Sequence, residues 1–101
     1  MNMDRVFDAL ASGPRRQILR ELSAGERNTS DLAARFAMSA PAISRHLSVL
    51  ENAGLVASRR DGQRVLYALV RDTLMEALSG LAAELAMGVE PAPPKRQREA
   101  I

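Results

Sequence analysis

Apolar residues recur at helical spacing near the start of the chain and predict a short amphipathic helix. The repeat follows an i, i+3, i+4, i+7 series: Met3, Val6, Phe7 and Leu10. Side chains at this spacing share one face of an α-helix, and the pattern stops before Ser12-Gly13. We therefore expect the first helix over residues 3–11.

Two further helices are predicted before residue 37. Pro14 opens the second, where its missing N–H leaves no hydrogen bond unmade, and Gly25 stops it. Asn28 or Thr29 caps the third helix. The inward positions of these two helices are apolar: Ile18, Leu19 and Leu22 in the second, and Leu32, Ala33 and Phe36 in the third.

The sequence marks both ends of a fourth helix. Ser39 is a suitable N-cap, Pro41 lies in the first turn, and Gly54 stands where a C-terminal glycine is favoured. The apolar stripe of this helix is narrow: Ile43, Leu47 and Leu50. Only Ala37 and Met38 separate its cap from the third helix, and so short a connection predicts a steep crossing, as in helix-turn-helix units. Such turns often contain glycine, which is absent here.

The pattern changes after Gly54 and predicts a β-hairpin followed by a last helix. Asp61-Gly62 separates two β-prone runs, 55–60 and 63–69, and is a strong hairpin signal. The last helix is expected over residues 71–87, with Asp72 or Thr73 near its start. Residues 88–101 are rich in proline and charge and lack periodicity, so we predict a disordered tail.

Together these elements predict a mainly α fold with a β-hairpin, in the order of a winged helix-turn-helix. The length of 101 residues fits one domain, over residues 1–87. The chain has no cysteine, which excludes disulfides and thiolate metal sites. It has no long apolar run and no leader-like start, so a cytoplasmic protein is expected. A single histidine and no glycine-rich phosphate loop leave no nucleophile with its base, so an enzyme is not expected.

The fourth helix and the hairpin carry features of a DNA-binding surface. Small residues let a helix approach the major groove closely, while Ser and Arg offer hydrogen bonds. On the fourth helix these residues are Ala40, Ser44, Arg45 and Ser48. The hairpin tip is basic and suits a phosphate or a minor groove, with plain solubility as the alternative: Arg59, Arg60, Gln63 and Arg64. Arg15 and Arg16 are either phosphate contacts or side chains at a helix start that are solvated or ion-paired.

The last helix has an apolar face wider than a small domain covers by itself, and the first helix adds a second such face. A homodimer would cover both, since a twofold interface uses the same patch twice. Closure of the monomer core is the alternative. The residues predicted for the dimer interface are Met3, Val6, Phe7, Leu10, Leu74, Leu78, Leu81, Ala82 and Leu85.

Three segments resemble the ArsR/SmtB repressors of bacteria: Phe7-Asp-Ala-Leu-Ala-Ser-Gly-Pro-Arg-Arg-Gln-Ile-Leu, Ser39-Ala-Pro-Ala-Ile-Ser-Arg-His-Leu-Ser-Val-Leu, and Gly54-Leu-Val with Arg60-Asp-Gly-Gln-Arg-Val-Leu-Tyr67. The resemblance covers about residues 3–87. It implies a homodimer joined through the first and last helices, which binds an inverted-repeat operator in double-stranded DNA and acts mainly as a repressor. By position it also implies groove and wing contacts: Ser44, Arg45 and His46 in the groove, and Arg60, Gln63 and Arg64 on the wing. For His46, packing with a bond to backbone or phosphate stays open.

Many members of that family release DNA when a metal ion binds to cysteine pairs or to Asp/His pairs. This chain has no cysteine, and its last helix has no histidine, so we expect no metal site and no cofactor. In this respect it resembles a Cys-less, SdpR-like sub-group without an obvious inducer site, and the sequence identifies no inducer. Two other functions stay open: a ligand-gated sensor of the same fold, and a winged helix that binds acidic protein surfaces.

Overall fold

The chain forms five helices and three strands. In order they are α1 (Met3–Leu10), α2 (Gly13–Leu22), β1 (Arg27–Asn28), α3 (Thr29–Phe36), α4 (Ala40–Asn52), β2 (Val56–Asp61), β3 (Arg64–Leu69) and α5 (Arg71–Glu84). The computed structural model describes residues 1–88, so the predicted tail lies, apart from Gly88, outside the described residues. The five helices and the hairpin are confirmed, and β1 is an addition to the prediction.

Side-chain caps begin four of the five helices. Asn2, Ser12, Asn28 and Ser39 each accept a hydrogen bond from the backbone N–H three residues later, which satisfies a donor that the helix leaves unpaired. Ser39 is the cap predicted for α4, and Asn28 rather than Thr29 caps α3. Helix α5 has no side-chain cap, and Asp72 lies in its first turn, near the start of the helix as predicted. It begins directly after Val70, whose N–H donates to the Leu55 carbonyl at 2.9 Å as an extension of the sheet.

The end of α5 also differs from the prediction, because the helix stops at Glu84 rather than at residue 87. Ala86 takes a left-handed backbone conformation with φ 54°. The N–H of Met87 then reaches the Ala82 carbonyl at 3.0 Å, and the N–H of Ala86 reaches that of Ala83 at 3.1 Å. This pair of bonds is a Schellman ending, which satisfies the last carbonyls of the helix.

The three strands form an antiparallel sheet in the order β1-β3-β2. Asp61 pairs with Arg64, so the hairpin loop is Gly62-Gln63 and not the predicted Asp61-Gly62. Gly62 has φ 66° at the first central position, the sign that a type II′ turn requires there. The added strand β1 is only two residues long and pairs with β3 on the edge away from β2.

All five helices and the base of the hairpin contribute to one apolar core. The predicted stripe of α4 is confirmed, because Ile43, Leu47 and Leu50 have no exposed surface. Each such side chain contributes roughly 1.5–3 kcal/mol relative to exposure. The buried apolar residues are Val6, Ala9, Ile18, Leu19, Leu22, Leu32, Ile43, Leu47, Leu50, Ala53, Leu55, Val56 and Ala77.

Helices α1 and α5 pack against each other within the subunit. Val6, predicted for a dimer interface, is wholly buried here, so its side chain offers no surface to a partner. Gly80 lies inside α5 at the contact with α1, where a Cβ atom would stand 3.1 Å from Cε of Met3. The glycine is therefore explained by close packing in the same chain.

Candidate nucleic-acid interface

Helix α4 turns a face of small and polar side chains to solvent. At 100° per residue, Pro41, Arg45, Ser48 and Asn52 lie opposite the buried stripe, and all four are exposed. The other predicted groove residues on the exposed surface are Ala40 and Ser44. Sequence reasoning missed Asn52, although counting two turns on from Arg45 would have found it.

The turn between α3 and α4 sets the direction of α4, and it contains no glycine. Ala37 adopts a left-handed conformation, with φ 51° and ψ 38°. This conformation lets the N–H of Met38 reach the Ala33 carbonyl at 3.2 Å and close the end of α3. Ser39 then caps α4, so only Ala37 and Met38 stand between the end of α3 and that cap.

The two arginines at the start of α2 close the end of α1. Arg15 donates from Nε to the Ala9 carbonyl at 2.7 Å and from Nη2 to the Asp8 carbonyl at 3.2 Å. Arg16 donates from Nη1 to the Leu10 carbonyl at 2.6 Å. Carbonyls at the C-terminal end of a helix lack hydrogen-bond partners within the helix and carry partial negative charge. A guanidinium donates hydrogen bonds to these carbonyls and places a positive charge beside them. Neither arginine is merely solvated, and within residues 1–88 neither pairs with a carboxylate.

His46 is half-buried, and two of the predicted DNA-binding arginines, Arg15 and Arg45, act on its charge. Burial lowers the pKa of its imidazole, and the positive charges of Arg15 and Arg45 lower that pKa further. Arg15 at the start of α2 and Arg45 in the middle of α4 therefore both place positive charge near His46.

The wing, defined here as β2, the Gly62-Gln63 loop and β3, presents its predicted arginines on opposite faces. The Ser58 hydroxyl donates to the Glu51 carboxylate of α4 at 2.8 Å, so the Ser58 side of β2 is the side near α4. Successive side chains of a strand alternate, and Arg60 therefore shares that side. Arg59 points to the far side.

Arg59 is bound to Glu26, the residue before β1. Its Nε and Nη2 atoms each lie 2.8 Å from a carboxylate oxygen, a two-pronged pairing. The hydrogen bond from Arg59 lowers the pKa of the Glu26 carboxyl, and the same bond raises the pKa of Arg59. The sequence did not predict this pair, because its partners stand 33 positions apart.

The remaining wing residues lie close to the start of α3. Gln63 and Arg64 border a shallow cleft together with Thr29 and Ser30, two hydroxyl residues that sequence reasoning missed. Arg64 also stands 3.8 Å from the Asp61 carboxylate. Within residues 1–88, neither Arg45 nor Arg60 has a carboxylate within ion-pair distance.

Comparison with known proteins identifies the family. The model of the arsR family of bacterial regulatory proteins matches residues 12–58. Transcriptional repressor SdpR of Bacillus subtilis (strain 168) is 35% identical over 77 residues, covering 76% of this chain and 86% of SdpR. The chain belongs to the ArsR family.

Solved structures of ArsR-family regulators share the same fold. An ArsR-like transcriptional regulator from Rhodococcus sp. RHA1 superposes with a TM-score of 0.78 at 33% identity, covering 84% of this chain and 80% of that one. A homodimeric winged helix-turn-helix DNA-binding domain from Mycobacterium bovis, solved by NMR, gives a TM-score of 0.69 at 32% identity, covering 90% and 86%. This ArsR-family chain is therefore a transcriptional regulator with a DNA-binding winged helix domain, and not an enzyme.

The ArsR-family chain exposes apolar side chains along α5. Leu78 is 47% exposed, Met75 52% and Leu85 62%. The other residues predicted for an interface are half-buried: Met3, Phe7, Leu10, Leu74, Leu81 and Ala82. Met75 is exposed on the same helix but is not among the residues predicted for the interface. The three exposed side chains and these six half-buried ones, which include three from α1, are together called the α5 surface.

Among residues 1–88, no three His, Asp or Glu side chains converge closely enough to hold a metal ion. In the same range, none of the helices combines the length and apolar character needed to span a bilayer.

Proposed function

We propose that this ArsR-family regulator is a homodimeric repressor that binds an inverted-repeat operator, including one near its own gene. The observation that carries the proposal is the exposed face of α4. It combines small side chains with Arg45, a guanidinium that no carboxylate engages among the described residues. A helix with these properties fits a major groove, where arginine pairs with guanine through two hydrogen bonds.

The α5 surface supports a twofold dimer. Burying exposed leucine and methionine side chains stabilises an interface by about 25 cal/mol for each Å² removed from water. Contact with the same surface of a second copy would bury them. The Mycobacterium bovis domain of the same fold is described as homodimeric. Operators for such dimers have two half-sites about 34 Å apart, one helical turn of DNA. Residues 1–87 form the dimer unit in this proposal, with residues 88–101 as a tail.

The proposed contacts divide into base readers and backbone contacts. Ser44, Arg45 and Ser48 reach base edges, with Ala40 close against the groove wall. Arg60 meets the sugar-phosphate backbone from the α4 side of the wing. Gln63 and Arg64 meet it from the wing tip, although Arg64, paired with Asp61, shares the Arg59 face of the sheet. His46 lies at the rim, where a phosphate would raise the pKa that burial has lowered. Arg15 and Arg16 add positive charge to the same region while they hold the end of α1.

Repression follows from occupancy of a promoter, which excludes RNA polymerase. SdpR, the Bacillus subtilis relative, is itself named a transcriptional repressor. We propose regulation without metal sensing, because the chain has no cysteine and its one histidine lies on α4. A twofold dimer separates the two copies of that histidine by about one DNA turn, too far for a shared ion.

Footprinting on DNA upstream of the gene, followed by fluorescence anisotropy with the protected duplex, tests the proposal. Arg45→Ala should cost roughly 1–3 kcal/mol for each half-site and relax the base preference. Arg64→Ala should weaken binding to every sequence alike and reduce the salt slope by about 0.9 for each phosphate that the variant no longer neutralises. If neither substitution changes operator affinity, or if the protein is monomeric and binds no twofold-symmetric duplex, the proposal is refuted.

A further inference from the structure

The far side of the wing carries an ion pair that joins distant parts of the chain. Arg59 lies in β2, and Glu26 lies just ahead of β1. Both carboxylate oxygens of Glu26 are engaged, at 2.8 Å from Nε and 2.8 Å from Nη2 of Arg59. Such a two-pronged pairing fixes the orientation of the guanidinium as well as its distance.

This pair crosses the sheet. The strand order is β1-β3-β2, so the Arg59 side chain reaches from β2 over β3 to the segment that leads into β1. The backbone ladder on that side is minimal, with two paired positions, Arg27 with Tyr67 and Asn28 with Leu66. A two-stranded hairpin is marginally stable by itself, and the wing therefore depends on contacts such as this pair to keep its angle to the body.

The pair also decides which arginine of the wing is available. Arg60 points to the side of Ser58, which bonds to Glu51 at the end of α4. Arg59 points away from α4, and two of its three nitrogens are already bound by Glu26. In this orientation of the wing, Arg60 and the Gly62-Gln63 loop face a duplex that lies along α4.

We infer that Glu26 is a positioning residue for DNA binding, which holds Arg59 on the far side of the sheet and thereby sets the angle at which Arg60 and the wing tip meet the duplex. The inference rests on the proposed function, because it presupposes that the wing contacts DNA. It assigns to Arg59 a part different from the phosphate contact that the sequence predicts. Both side chains are exposed, so their variants are expected to fold.

A double-mutant cycle with a charge exchange tests the inference. We would measure anisotropy of Glu26→Gln, Arg59→Gln and the double variant on the footprinted duplex and on a mixed-sequence duplex of about 30 base pairs, which spans two half-sites. Each single variant should bind about two- to fivefold more weakly per wing, the range of an exposed ion pair. The double variant should be no weaker than either single variant, and the salt slope should stay unchanged. Exchange of the two charges, Glu26→Arg with Arg59→Glu, should recover most of the affinity.

Other combinations of affinity and salt slope among these variants would overturn the inference. If Arg59 binds a phosphate, Arg59→Gln will lower the salt slope by about 0.9 for each subunit, and Glu26→Gln will tighten binding by releasing Arg59. Full affinity in both single variants would also refute it. Arg60→Gln separates this failure from that of the proposed function. If Arg60→Gln weakens binding while the Glu26 and Arg59 variants do not, only the positioning part is wrong, whereas a wild-type protein that binds neither duplex refutes both.

Discussion

Replacing Ala37 by glycine is expected to stabilise the protein, because Ala37 is held in the left-handed region with φ 51° and ψ 38°. That region costs a residue with a Cβ atom roughly 1–2 kcal/mol. Glycine avoids this strain but loses about 0.4–1 kcal/mol more backbone entropy on folding. The difference between these two ranges centres on a net gain of about 0.8 kcal/mol. Since the Ala37 side chain is exposed, its removal sacrifices no core packing.

Thermal unfolding followed by circular dichroism measures this effect. For a domain of this size the gain corresponds to a rise in Tm of about 2–8 °C. All samples need the same protein concentration, because dimerisation makes Tm depend on concentration. The matched control is Ala34→Gly, which is also exposed but lies inside α3 and should lose about 1 kcal/mol. If Ala37→Gly destabilised the protein as much as Ala34→Gly does, the argument from backbone strain would be refuted.

Three further predictions concern the dimer, the histidine and a helix cap. Leu78→Glu puts a charge on the α5 surface and should shift the protein to monomer in sedimentation velocity. The same substitution should weaken operator binding. An unchanged dimer would show that α5 is not the interface. Because the pKa of His46 is lowered in the folded state, the unfolded chain binds more protons below about pH 6.5, so stability should fall as the pH drops through that range. Urea titrations should give His46→Gln a flatter pH dependence, and identical slopes would contradict this. Asn28→Ala should cost about 1 kcal/mol in the same titrations, while Asn28→Ser should keep most of the cap.

Helix positions could be predicted from the sequence because their causes are local. The spacing of Ile43, Leu47 and Leu50 gives one face of α4, and Ser39 and Gly54 mark its ends without reference to any other element. The two-residue strand β1 could not be found in this way, since two residues carry no periodicity. The loop of the hairpin was misplaced by one residue because Gly62 fits the first position of a type II′ turn as well as the second position of a type I′ turn.

The sequence by itself therefore determined the helices, the hairpin, the exposed face of α4 and the resemblance to a family, all of which depend on residues close together in the chain. Only the tertiary structure decided what the arginines do. Arg15 binds the end of α1, Arg59 binds Glu26 across the sheet, and Arg45 keeps its charge free of carboxylates among the described residues. A long charged side chain pairs with whichever acceptor the fold brings within about 3 Å, and that acceptor has no fixed spacing in the sequence. The tertiary structure also decided that Val6 is wholly buried. Val6 has the same helical spacing as Met3 and Leu10, so the sequence pattern could not distinguish it from them.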